Sequence, residues 1–169
     1  MKRTMWIVGL SMVVLLGTGA FLALAVGSEG ESAPAATPMT ISLNEMSFTV
    51  NGGTPNDTIT FNAGETYAIT FVNDGTVEHE MKAGSGDLLK RDNGTPDGYT
   101  NNFFVGPAVL TQDGQKIEFS DLEEVELDPG QSVTVTFTVP DSFAGQSFEM
   151  GCFVPGHYEA GMKAPIVVK

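Results

Sequence analysis

Ser132-Val133-Thr134-Val135-Thr136-Phe137-Thr138-Val139 alternates without a break: Val133, Val135, Phe137 and Val139 share one face, and Ser132, Thr134, Thr136 and Thr138 share the other. A period of two places the apolar side chains on one side of an extended strand, whereas a helix would scatter them around its axis. Asp128-Pro129-Gly130 before the stretch and Pro140-Asp141 after it supply the stops. This segment therefore predicts a strand with one buried face.

The same pattern extends toward the N-terminus. Ile41 and Leu43, Phe48 and Val50, Ile59 and Phe61, and Tyr67, Ile69 and Phe71 each alternate with polar neighbours. Asn51-Gly52-Gly53, Asn62-Ala63-Gly64 and Asn73-Asp74-Gly75 separate them with residues suited to tight turns. Toward the C-terminus, Phe148 and Met150 lead to Cys152, and Ile166 to Val168 form a last strand. The spacing predicts an all-β sandwich of seven to eight strands. Ala83 to Gln115 breaks the pattern with Gly84, Gly86, Gly94 and Gly98 and several Asn residues, which predicts a long excursion with a short helical turn near Asp87 to Arg91.

Residues 1–27 differ in kind. Lys2 and Arg3 precede an uncharged run from Thr4 to Ser28, whose most apolar part, Trp6 to Val26, is long enough to span a bilayer as a helix. An N-terminal hydrophobic helix is thus expected to precede the sandwich, either as a retained membrane anchor or as a signal peptide cleaved near Ala23-Leu24-Ala25. Basic residues on its N-terminal side leave the domain outside the cytoplasm. Residues 28–38 read as a flexible linker, and residues 39–169 as one domain, within the size range of a single core.

From Ser28 onward 21 acidic and 6 basic side chains give a formal charge of −15. Such a surface repels nucleic acid and anionic lipid and favours a positively charged macromolecule. Glu118, Asp121, Glu123, Glu124, Glu126 and Asp128 fall close together, as a solvated run or as a docking patch for a basic redox protein. Asn56-Asp57-Thr58 and Asn93-Gly94-Thr95 match the glycosylation acceptor pattern, which also arises by chance.

The chain contains 1 Cys and 2 His. That excludes an internal disulfide, a four-Cys zinc or iron–sulfur site and a two-cysteine dicopper centre. Cys152, His157 and Met162 are spaced by four residues each on a Gly/Pro-bounded loop, and His79 stands apart. A thiolate, two imidazoles and a thioether are the donor set of a mononuclear copper site for electron transfer. Taken singly, a Cys or a Met is more often core filler; the conjunction points to one copper per chain. With both histidines used, no Ser-His-acid or Cys-His pair remains for catalysis, which predicts an electron carrier and not an enzyme.

The run Cys152-Phe153-Val154-Pro155-Gly156-His157-Tyr158-Glu159-Ala160-Gly161-Met162, with Val72 to Glu80 upstream, resembles the ligand segments of the cupredoxin (type 1 blue-copper) family, which includes auracyanin, rusticyanin and plastocyanin. The resemblance implies a Greek-key sandwich. It also implies His79 Nδ1, Cys152 Sγ and His157 Nδ1 as close ligands, Met162 Sδ as a longer axial contact, and the amides of Glu80 and Val154 as donors to the sulfur. One departure is Glu80, where the family commonly has Asn or Asp tying the two ligand loops together. A second is the long interval from His79 to Cys152, which predicts an insertion on one side.

The expected role is a single-electron shuttle on the extracytoplasmic or periplasmic face of the membrane, monomeric, exchanging electrons through His157 with a basic partner such as a c-type cytochrome or a membrane oxidase. Phe153, Val154, Pro155, Tyr158 and Ala160 would form an apolar collar at the metal end, or fill the inner face of the loop. A periplasmic copper carrier and a tethered subunit of a respiratory complex are the alternatives.

Overall fold

The computed structural model describes residues 35–169. The expected N-terminal helix, residues 1–27, lies outside the described residues; within them, no helix is long and apolar enough to cross a membrane.

The strands are β1 (Thr37–Asn44), β2 (Ser47–Val50), β3 (Ile59–Phe61), β4 (Thr66–Asn73), β5 (His79–Lys90), β6 (Pro96–Asn102), β7 (Val105–Gln112), β8 (Gln115–Asp121), β9 (Val125–Leu127), β10 (Ser132–Thr138), β11 (Ser147–Cys152) and β12 (Lys163–Val168). One sheet has the order β2-β1-β4-β10-β7-β8; the other runs β3-β12-β11-β5-β6, with β9 also pairing with β5. β1 is parallel to β4 and β12 parallel to β3, so the chain repeatedly crosses between sheets. The alternating stretch that begins at Ser132 becomes β10, central in its sheet, with Val133, Val135 and Phe137 buried.

Twelve strands form among the described residues where seven to eight were expected, and the difference lies mainly in the Ala83–Gln115 excursion. The helical turn expected near Asp87 to Arg91 is absent. β5 continues through it to Lys90, with Leu88 opposite Tyr99 and Leu89 opposite Gly98. The reason is that β6 and β8 lie at sheet edges with mostly exposed or half-buried side chains, so they lack the apolar alternation that marks a buried strand. Both hairpins, β5–β6 and β7–β8, form the decoration implied by the long interval between His79 and Cys152.

The core closes around aromatic rings contributed by both sheets. Phe103 and Phe104, between β6 and β7, are buried, and Phe103 packs within 6 Å of Phe61, Phe137, Phe143 and Phe148. These rings anchor the excursion to the sandwich, each removing enough apolar surface from water to contribute about 2–3 kcal/mol.

Candidate metal centre

Three neighbouring strands of one sheet bring the metal-binding side chains together. β11 ends at Cys152, which lies opposite Met81 of antiparallel β5. His79 is two residues before Met81, hence on the same face, and starts β5 at the same end of the sheet. The turn from β11 to β12 then carries His157 back toward the sulfur.

That turn is fixed by its own backbone. Gly156 and Gly161 adopt φ of 94° and 98°, conformations that favour residues without a Cβ. The Met162 N–H donates to the carbonyl of His157 at 3.0 Å, and the Cys152 N–H donates to the carbonyl of Met162 at 3.1 Å. Asn56 Nδ2 donates to the carbonyls of Gly161 and Met46, so this amide, one of the two acceptor-pattern asparagines, is engaged in holding the loop.

His79 Nδ1 lies 3.6 Å from Cys152 Sγ, and His157 Nδ1 lies 3.3 Å from it. The donor atoms of all three residues fall within 4.8 Å of one another. Bonds of about 2.0 Å to nitrogen and about 2.3 Å to a thiolate, at trigonal angles, require sulfur–nitrogen separations of about 3.7 Å. The arrangement fits a single metal ion. His79 and Cys152 are fully buried, and His157 keeps 9% of its surface exposed. The imidazole planes stand at 56°, with centroids 5.1 Å apart.

Burial, helped by the nearby His157, lowers the pKa of His79 and so favours the neutral imidazole that can ligate; Glu45 opposes this. Burial likewise raises the Cys152 thiol pKa, against the pull of the backbone N–H groups of Glu80 and Val154. A cation at the centre supplies the charge that makes thiolate favourable in this buried position. His79 Nε2 is buried without a hydrogen-bond partner, close to where a Cβ on Gly75 would lie. With Nδ1 directed at the sulfur, the ring is placed for ligation rather than for a structural hydrogen bond.

Met162 is fully buried and its backbone is bonded to both Cys152 and His157. The expected apolar collar divides. Pro155 and Ala160 are exposed and Val154 and Tyr158 half-buried, but Phe153 is buried on the inner side, stacked on Tyr158 at 5.1 Å and edge-on to Tyr99 at 5.2 Å. Glu80 does not span the two ligand segments with its own side chain. Its carboxylate pairs with Lys82 at 2.9 Å and Arg91 at 3.4 Å, while its backbone carbonyl accepts the Phe153 N–H at 2.9 Å. Sequence reasoning missed Lys82, Arg91, Tyr99 and Glu149 as supports of the site; the replacement of the usual Asn or Asp by Glu80 was the available signal. The six clustered carboxylates are all exposed, and Glu124 pairs with Lys82 at 3.0 Å.

No family model matches the chain. The copper-resistant cuproprotein CopI of Rubrivivax gelatinosus is 30% identical over 112 residues, covering 66% of this chain and 57% of that protein. The chain thus aligns with little more than half of that relative's length. Reduced auracyanin from Roseiflexus castenholzii is similar in structure, with 23% identity, 80% of this chain and 98% of that chain covered, and a TM-score of 0.49. The copper-containing nitrite reductase of Thermus scotoductus SA-01 aligns at 13% identity over 79% of this chain and 31% of that chain, with a TM-score of 0.52.

Proposed function

We propose that this chain, which has a cupredoxin fold with a His79–Cys152–His157 cluster fitting a type 1 copper site, is a mononuclear copper electron-transfer protein acting outside the cytoplasmic membrane. The observation that carries the proposal is the convergence of both Nδ1 atoms on one buried sulfur. Bound copper supplies a one-electron Cu(II)/Cu(I) couple. The chain would hold it with a donor set suited to both oxidation states: the imidazoles of His79 and His157, acceptable to either, the soft thiolate of Cys152, and the thioether of Met162, which would add a weak soft contact. The β5–β11 ladder and the hydrogen-bonded turn hold the donors in place, so a change of charge requires little movement. The amides of Glu80 and Val154 draw electron density from Sγ and favour the reduced form. His157, the ligand with surface at the protein exterior, is the exit for electrons.

Both histidines and the sole cysteine belong to this one cluster. That supports a carrier rather than an enzyme, although the fold also occurs within the nitrite reductase. The charge of −15 from Ser28 onward supports a basic redox partner, such as a c-type cytochrome or a membrane oxidase, and the apolar N-terminal run supports a tethered or exported location. The test is spectroscopic: the copper(II) protein shows an intense visible thiolate-to-copper band, and Cys152→Ser abolishes it. A chain holding one copper yet colourless and redox-silent overturns the proposal.

The CopI likeness favours a second reading, a copper-binding carrier or delivery protein. Release of copper to an acceptor faster than electron exchange with a redox protein distinguishes that reading from the first.

A further inference from the structure

Hairpin β5–β6 folds back over its own base. Gly84 pairs with Asn102, so a straight ladder would carry Asp97 well away from Lys82. Instead Lys82 Nζ donates to the carbonyl of Asp97 at 2.8 Å, and a Cβ on Gly98 would lie 3.2 Å from Lys82 Cδ. The register slips between Ser85 and Leu88, where Gly86 adopts φ of 85°. The bend brings Arg91, at the start of the tip, to the turn after Cys152.

At that tip, Arg91 Nη1 donates to the carbonyl of Phe153 at 2.9 Å and to that of Pro96 at 3.3 Å. Arg91 Nη2 lies 2.8 Å from Asp97 Oδ1 and 3.4 Å from Glu80 Oε2. Phe153 is therefore held at both of its peptide groups, by Glu80 through its N–H and by Arg91 through its carbonyl. Its ring is held as well, between Tyr99 and Tyr158, whose hydroxyls both donate to Glu149 Oε1. The local charge is acidic: Glu80 stands opposite Glu126 in the β5–β9 ladder, with Asp97 and Glu124 nearby, and Lys82 and Arg91 are the cations set among them.

We propose that the β5–β6 hairpin is a clamp on the copper-ligand loop and that Arg91 is its positioning residue, fixing the Phe153 carbonyl while holding a compensating positive charge beside Cys152. The proposal rests on the type 1 copper reading for its redox consequence and on the metal-free fold for its mechanical one. In place of a short side chain after the first histidine tying the loops directly, this chain uses Glu80 to aim a guanidinium from the inserted hairpin. The planar fork divides the work between two nitrogens, Nη1 on the Phe153 and Pro96 carbonyls and Nη2 on Glu80 and Asp97, and a lysine at this position has one nitrogen to offer to both sets.

The test compares Arg91→Gln, which loses the charge, with Arg91→Lys, which keeps the charge and loses the fork. In the copper-loaded protein at a fixed ambient potential, Arg91→Gln shifts the copper(II)/copper(I) ratio about fivefold toward copper(II), because an acidic field left with Lys82 alone to compensate it favours the more positive ion. Arg91→Lys stays within about twofold of the parent. In the metal-free protein both variants accelerate amide exchange across residues 153–157 by about tenfold, the effect of losing a charge-assisted hydrogen bond. A parent-like ratio in Arg91→Gln overturns the proposal. So does parent-like exchange in Arg91→Lys, which decides the matter if Arg91→Gln does not fold. A parent protein that binds copper without the visible band defeats the type 1 reading instead, and the exchange measurement then judges the clamp alone.

Discussion

His79 gives the centre a pH dependence that is visible without metal. Burial holds its pKa below the ordinary value of 6.5, while in the unfolded chain it titrates near that value. The unfolded state therefore binds more protons as the pH drops. The stability contributed by neutral His79 is fully present above pH 6.5 and is lost as the pH falls through 6.5 toward the folded pKa. Metal-free protein should lose up to about 1.4 kcal/mol per pH unit from this one group, as followed by denaturant unfolding between about pH 7.5 and 5.5. His79→Gln should flatten that decline; an equally steep fall in the variant would show that another group is responsible. The His79, Cys152 and His157 cluster was legible in the sequence because the chain has 1 Cys and 2 His, so thiol and imidazole donors could be assigned without choice. Cys152, His157 and Met162 could be grouped from spacing alone, but only the β5–β11 register shows how His79 reaches the same sulfur.

At the scale of the element, legibility tracked burial. β4 and β10 pack against each other across a shared ladder, and each buries every second side chain, so alternation announced both. β6 announced nothing: Pro96-Asp97-Gly98-Tyr99-Thr100-Asn101-Asn102 reads as a loop because its pairing is with the backbone of β5 while its side chains serve polar contacts. Gly84 makes that pairing possible. A Cβ there would run into the backbone carbonyl oxygen of Asn101 and lie 2.7 Å from Tyr99 Cβ, neither of which can withdraw without moving the strand. Gly84→Ala should therefore cost about 2–3 kcal/mol of stability, measured by denaturant unfolding, by overpacking a close strand contact. It should also weaken the hold of Tyr99 and Arg91 on the Cys152 turn. A loss below about 0.5 kcal/mol, the usual scale of surface substitutions, would mean that β6 is not seated as described.

For the molecule as a whole, the unequal distribution of charge is the feature that concerns a partner. Leu122, Val125 and Leu127 are buried, and this fixes the carboxylates between and beside them outward. Not all six are equivalent. Asp121 accepts the Gly106 N–H at 3.0 Å and Glu124 anchors Lys82, so both have structural work within the domain. Glu118, Glu123, Glu126 and Asp128 enter no ion pair among the described residues, and the three glutamates among them test whether this side steers the proposed basic partner. Replacing these three with Gln removes charge without touching a ligand or the Arg91 contacts. Electron exchange with a basic c-type cytochrome should then slow by about tenfold at about 10 mM ionic strength, where the Debye length is about 30 Å. Near about 0.15 M, where it is about 8 Å, the rates of variant and parent should converge. Stopped-flow kinetics across that range checks both, with thermal unfolding as the control for an intact fold. Equal rates at low salt would mean that the carboxylates serve solvation alone, and that a partner approaches the His157 end without guidance from this side.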